Sequence, residues 1–163
     1  MKGALQVVLV AIMVATCSGN ESLGAEFSGP AGDGWHTWQV AAADGDELRI
    51  YALIKAGEPV EFRVRGKYAC FDGFDVDAVD LGIVNVDQSI DWLQRHIAPG
   101  TELSSDAIMA ISLHRGARPV AILSDIVKTG TDRELREEAL FWLAQSDSDE
   151  AFAVLDRLLS GAL

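Results

Sequence analysis

Ala107-Ile108-Met109-Ala110-Ile111 and, 32 residues later, Ala139-Leu140-Phe141-Trp142-Leu143 are two copies of one apolar pattern. The stretch Val120-Ala121-Ile122-Leu123 follows the first copy as Phe152-Ala153-Val154-Leu155 follows the second, at the same offset. A repeat of this length built from helical patterns is the signature of stacked helix pairs, whose units cannot bury their apolar faces alone. Three triplets, Ile90/Leu93/Ile97, Val120/Leu123/Val127 and Phe152/Leu155/Leu159, are spaced by three and then four, which puts each on one stripe of a helix. The last third of the chain thus reads as two helical pairs preceded by one more helix.

The boundaries of those helices follow from capping chemistry. Asp87 stands before the first stripe, and Pro99-Gly100 stops it. Ser104 or Ser105 can cap the next helix, and Pro119 suits the first turn of the one that ends before Gly130. Asp132 is positioned to cap 133–145, and Asp147 or Ser148 to cap a final helix that Gly161 ends. Glu150, Asp156, Arg157 and Ser160 gather on one side of it, a polar outer face suited to closing the stack at the C-terminus.

Upstream the period is two. Segments 35–42 and 48–54 flank Asp44-Gly45-Asp46-Glu47, and Asp-Gly signals a hairpin because both central positions favour positive φ. In 59–67, Val60, Phe62 and Val64 alternate with Glu61, Arg63, Arg65 and Lys67, one apolar and one partly basic face. Gly57-Glu58-Pro59 reads as the turn before it, and 76–84 as a weaker fourth strand. Trp35 and Trp38 fall on opposite faces, so at least one is core. The expected fold class is α+β, a small antiparallel β module followed by a short α–α superhelix. Its organisation is 1–19 signal peptide, 20–34 linker, 35–84 β module and 85–163 helical repeats.

The 163-residue chain suffices for one domain or two small ones sharing a core, and its composition is that of a folded protein. A net charge of −12 opposes binding to phosphate backbones and anionic membranes, so nucleic acid is not expected as a partner. Met1-Lys2, the apolar run 4–15 and the small residues Thr16-Cys17-Ser18-Gly19 make a secretory signal pattern, too short to span a membrane. Cleavage after Cys17, Gly19 or Ala25 remains open. Thr16 fits poorly before a lipidated Cys17, so a lipid anchor there is not expected. Without Cys17 only Cys70 remains, which precludes an internal disulfide.

Asp132-Arg133-Glu134-Leu135-Arg136-Glu137-Glu138-Ala139-Leu140-Phe141-Trp142-Leu143-Ala144-Gln145, followed by Asp149-Glu150-Ala151 and Val154-Leu155, resembles a bacterial HEAT repeat. The family pattern is an acidic residue, Leu-Arg, an alanine three residues on, and a closing Leu-Gly or Leu-Ala. The preceding unit lacks Leu-Arg but keeps Ala107, Ala110 and Pro119. More loosely, the layout is similar to exported bacterial proteins with a small β region and C-terminal HEAT repeats. The resemblance implies a superhelix used for protein–protein contact, with no enzyme activity and no cofactor, in the periplasm or outside the cell.

No motif with a catalytic mechanism is present: no His-Glu-x-x-His, no Cys-x-x-Cys, no phosphate loop and no Gly-x-Ser-x-Gly. His36, His96 and His114 are scattered and read as solvated or satisfied surface residues. Asp75, Asp77 and Asp80 are the weak alternative for calcium, but Val79 stands at the third ligand position and Asp80 where glycine should turn. Arg63, Arg65 and Lys67 could dock an anion, yet a polar strand face accounts for them. The candidate partner-binding residues are Met109 and Phe141, which occupy equivalent positions off the main stripe and could form an apolar ladder along the stack. The reading is a non-catalytic module that binds another protein, or alternatively a ligand- or calcium-binding β module on a helical base.

Overall fold

The computed structural model describes residues 26–41, 47–66, 76–146 and 148–161. The signal region, the Asp44-Gly45 turn, Lys67, Cys70, Asp75 and Asp147 lie outside the described residues. Four strands come first, β1 (Gly34–Ala41), β2 (Glu47–Lys55), β3 (Glu58–Arg65) and β4 (Ala78–Val84). Five helices follow: α1 (Val86–Gln94), α2 (Glu102–Ser112), α3 (Ala117–Thr129), α4 (Arg133–Gln145) and α5 (Asp149–Leu159). None of the described helices is long and apolar enough to cross a membrane.

The sheet order is β3-β2-β1-β4, and the sheet is mixed, which corrects the antiparallel expectation. β1, β2 and β3 form an antiparallel meander, whereas β4 pairs parallel with β1. With β3 on one edge, β4 takes the other, beside β1. Two parallel strands need a connection of about a dozen residues, and the stretch 66–77 has that length. The β4 ladder slips between Thr37 and Gln39, where Gly82 adopts φ +76° and donates its N–H to Asp80 Oδ1 at 2.9 Å. That is a bulge built on a glycine.

The β2–β3 turn sits on Ala56-Gly57, one residue earlier than expected, with φ of 53° and 80°. A second bulge follows, because Leu53 pairs with Glu61 while Ile54 pairs with Pro59. The extra residue is Val60, which therefore turns to solvent and breaks the expected Val60/Phe62/Val64 face. Phe62 and Val64 remain buried.

Trp38, Ile50, Phe62 and Val64 from the inner sheet face share a first core with Trp92 and Leu93 of α1 and with Ala107, Ala110 and Ile111 of α2. Trp35 lies on the other face, with the Arg63 guanidinium 5.7 Å from its ring centre. The described part of the expected linker is no loose arm. Phe27 packs on Trp38 at 5.3 Å between ring centres, and Gly29 comes so close to the Trp92 indole that an added Cβ would fall 2.0 Å from its Nε1. A second core joins Ile108 of α2 to Val120 and Leu123 of α3, Ala139 and Leu143 of α4, and Ala151 and Val154 of α5.

Side-chain caps start α1, α4 and α5, whereas α2 and α3 begin without one. Asn85, not Asp87, caps α1, accepting from Asp87 N–H at 2.9 Å. Asp132 caps α4 and Ser148 caps α5, each accepting the N–H three residues on. Neither Ser104 nor Ser105 caps α2, which begins after Thr101; Ser104 instead accepts from Ala98 N–H at 2.8 Å and holds the preceding loop. α4 and α5 begin 31 and 32 residues after α2 and α3, so the sequence offset is also a structural one.

Candidate functional site

Burial of polar groups is concentrated where the sheet meets the helices. Ser89 of α1 is fully buried between Trp38 and His114. His114 Nδ1 lies 2.8 Å from the Ala110 carbonyl, which can only accept, so Nδ1 carries the proton. Nε2 must then accept from the Ser89 hydroxyl at 2.9 Å, whose oxygen accepts the Trp38 Nε1–H, also at 2.9 Å. Every polar atom of this knot is satisfied, and burial lowers the His114 pKa to about 4. The serine and histidine have hydrolase-like spacing, but the serine is sealed from solvent and no carboxylate orients the ring. The knot ties β1, α1 and the end of α2 together.

This overturns the surface reading of the histidines. His114 and His36 are buried, His36 because it shares the inward strand face with Trp38 and Val40; its Nε2 meets the Gly32 carbonyl at 3.0 Å. His96 is half-buried, with Trp92 and Phe62 rings at 4.6 and 5.9 Å between centres, and burial lowers its pKa.

The acidic run does not converge in what is described. Asp77 precedes β4, and Asp80 is engaged by the Gly82 N–H and by Arg49 at 3.2 Å. Those hydrogen bonds, the Gly82 one first, hold its carboxyl below the usual range. Among the described residues, no three His, Cys, Asp or Glu side chains gather as a metal site. Arg63 is paired with Glu61 at 2.5 Å.

Among the described residues, exposed large apolar side chains lie on β3 and β4 (Val60, Val79 and Ile83) and on the last two helices, α4 and α5, which carry Leu140, Phe141, Phe152 and Leu159. Asp132 starts α4, and an Arg133–Glu137 pair at 2.7 Å supports its exposed side. Ala139 and Leu143 face inward, while Leu140 and Phe141 are 40% and 52% exposed. Phe141 meets the Trp142 ring edge-on at 5.2 Å, and Trp142 Nε1 donates to Glu138 at 2.7 Å. Met109, its counterpart one unit earlier, is half-buried against the sheet-side core. The two candidate residues thus lie in different surroundings, one packed under the sheet and one open to solvent.

On α5 the buried positions are Ala151 and Val154, with Leu155 and Leu158 partly covered. The expected stripe is rotated out: Phe152 is 59% and Leu159 89% exposed. Glu150, Asp156, Arg157 and Ser160 are exposed as expected, and Phe152 and Leu159 add apolar surface along one flank of that polar face. Leu140, Phe152 and Leu159 were missed as site residues, although the 32-residue offset pairs them with Ile108, Val120 and Val127.

An open groove runs between α3 and α5, floored by Val120, Ala121 and Val154 and rimmed by Asp125, Lys128, Glu150 and Arg157. No family model, no curated protein and no solved structure matches the chain.

Proposed function

We propose that this protein is a non-catalytic protein-binding module that acts outside the cytoplasm of a bacterium. Its helical pairs stack as a short HEAT-like superhelix, with the sheet covering the first end. The observation that carries this reading is the set Leu140, Phe141, Phe152 and Leu159, large apolar side chains held outside both cores on the last two helices. A folded chain gains nothing from displaying them, and concentrated exposed apolar surface marks contact sites. The Ser89 hydroxyl and both His114 ring nitrogens, which could have suggested hydrolysis, are instead saturated within the knot.

The test is a cross-linked capture from native envelope, using tagged protein beside its Phe141→Asp and Phe152→Asp/Leu159→Asp variants. Because these side chains are more than half exposed, the variants should fold like the parent. A specific protein held by the parent and lost with either variant supports the module. Equal recovery with all three proteins sinks it.

A further inference from the structure

In the first helical unit, α2 and α3 turn four side chains away from the sheet: Ile108, Val120, Leu123 and Val127. All four pack into the second core beneath α4 and α5. Their counterparts 32 residues on are Leu140, Phe152, Leu155 and Leu159. Of these only Leu155 reaches that core. Ile108 and Val120 are 0% and 7% exposed, against 40% and 59% for Leu140 and Phe152. The opposite sides of the same helices keep the rule, since Ile122 reaches back to the first core and Val154 to the second. One unit's forward surface is therefore covered, and the next unit's equivalent surface is open.

The repeat also specifies the chemistry of a cover. On the first unit it is supplied by α4 through Leu135, Ala139 and Leu143, a stripe spaced by four. The charge differs, however. Where the first unit has Ser124, buried and bonded to the Val120 carbonyl, the second has Asp156, exposed. A helix laid on this face desolvates the edge of that carboxylate, which then needs a cation. The chain's net charge of −12 adds long-range attraction for a basic partner.

A second copy is disfavoured on two grounds. Asp156 lies midway between Phe152 and Leu159, so a symmetric contact of this face with itself brings two carboxylates together. A head-to-tail contact is blocked because α2 already packs on β3 at the other end of the stack.

Resting on the binding role proposed above, we infer that the open face of Leu140, Phe152, Leu155 and Leu159 receives a basic amphipathic α-helix from a partner protein. That helix rests on Leu140, Phe152 and Leu159, with Leu155 already in the second core, and takes the place on the second unit that α4 takes on the first.

The probe is a side-chain-stapled, fluorescent peptide copying residues 132–145 with Glu134, Glu137 and Glu138 replaced by lysine, titrated against the full-length protein. Saturable binding is expected, weakened at least about tenfold by Phe152→Asp/Leu159→Asp in a protein with unchanged circular dichroism. The unsubstituted acidic peptide should bind about tenfold more weakly. Absence of saturation, or equal affinity for parent and variant, overturns the inference. Equal affinity of the two peptides overturns its basic character. Sedimentation should show a monomer; a dimer dissolved by the same substitutions overturns it in favour of a second copy. If the peptide fails while envelope capture still depends on Phe141, the binding role stands and this inference falls.

Discussion

Acidification should unlock the Trp38–Ser89–His114 knot. His114 is buried, and its pKa falls from 6.5 to about 4 because burial penalises the imidazolium. The unfolded chain therefore binds this proton at higher pH than the folded one. Stability from the group is complete above pH 6.5 and is lost as pH drops toward 4. At 1.36 kcal/mol per unit, that shift amounts to about 3 kcal/mol. His96, also lowered by burial, acts in the same direction. Asp106 opposes it: burial raises its carboxyl, so acid favours the folded form there. The His114 contribution is isolated by comparison with His114→Gln. Urea unfolding followed by tryptophan fluorescence between pH 7 and 4 should show the parent losing about 3 kcal/mol more than the variant. Parallel curves would refute the buried, neutral histidine.

Other substitutions probe separate parts of the fold. Ser89→Ala strands the Trp38 indole N–H and His114 Nε2 in the core and should cost about 2–4 kcal/mol by chemical denaturation. Ala56→Asn relieves a left-handed alanine at the β2–β3 turn and should stabilise by about 0.5–1 kcal/mol, read as a raised melting temperature. Gly29→Ala places a methyl 2.0 Å from Trp92 Nε1 and should free the N-terminal arm, at a cost of about 1–3 kcal/mol and with a shifted tryptophan emission.

What the sequence made legible was periodicity, and what it hid was context. The strands, the five helices and the caps at Asp132 and Ser148 follow from local spacing and side-chain chemistry. The parallel pairing of β4 depends on which sheet edge is free, a tertiary fact with no local signature. The bulge at Val60 depends on strand register, which alternation alone does not fix. The histidines failed for the same reason: polarity suggested surface, while strand parity placed His36 inside and a long-range serine satisfied His114. At the candidate site, the off-stripe position of Phe141 was visible on a helical wheel. The exposure of Phe152 and Leu159 was not, because their spacing matches that of Val120 and Val127. Only the helix lying over them distinguishes the two sets.

The most direct measurement compares Val120→Ser with Phe152→Ser, the same change at equivalent positions, by denaturant unfolding under identical conditions. Val120 lies in the second core and Phe152 on the open face. Val120→Ser should lose about 2–4 kcal/mol, through lost packing and a buried hydroxyl, while Phe152→Ser should stay within about 0.5 kcal/mol of the parent. Equal losses would mean that Phe152 is already covered and that the second unit offers no face to a partner.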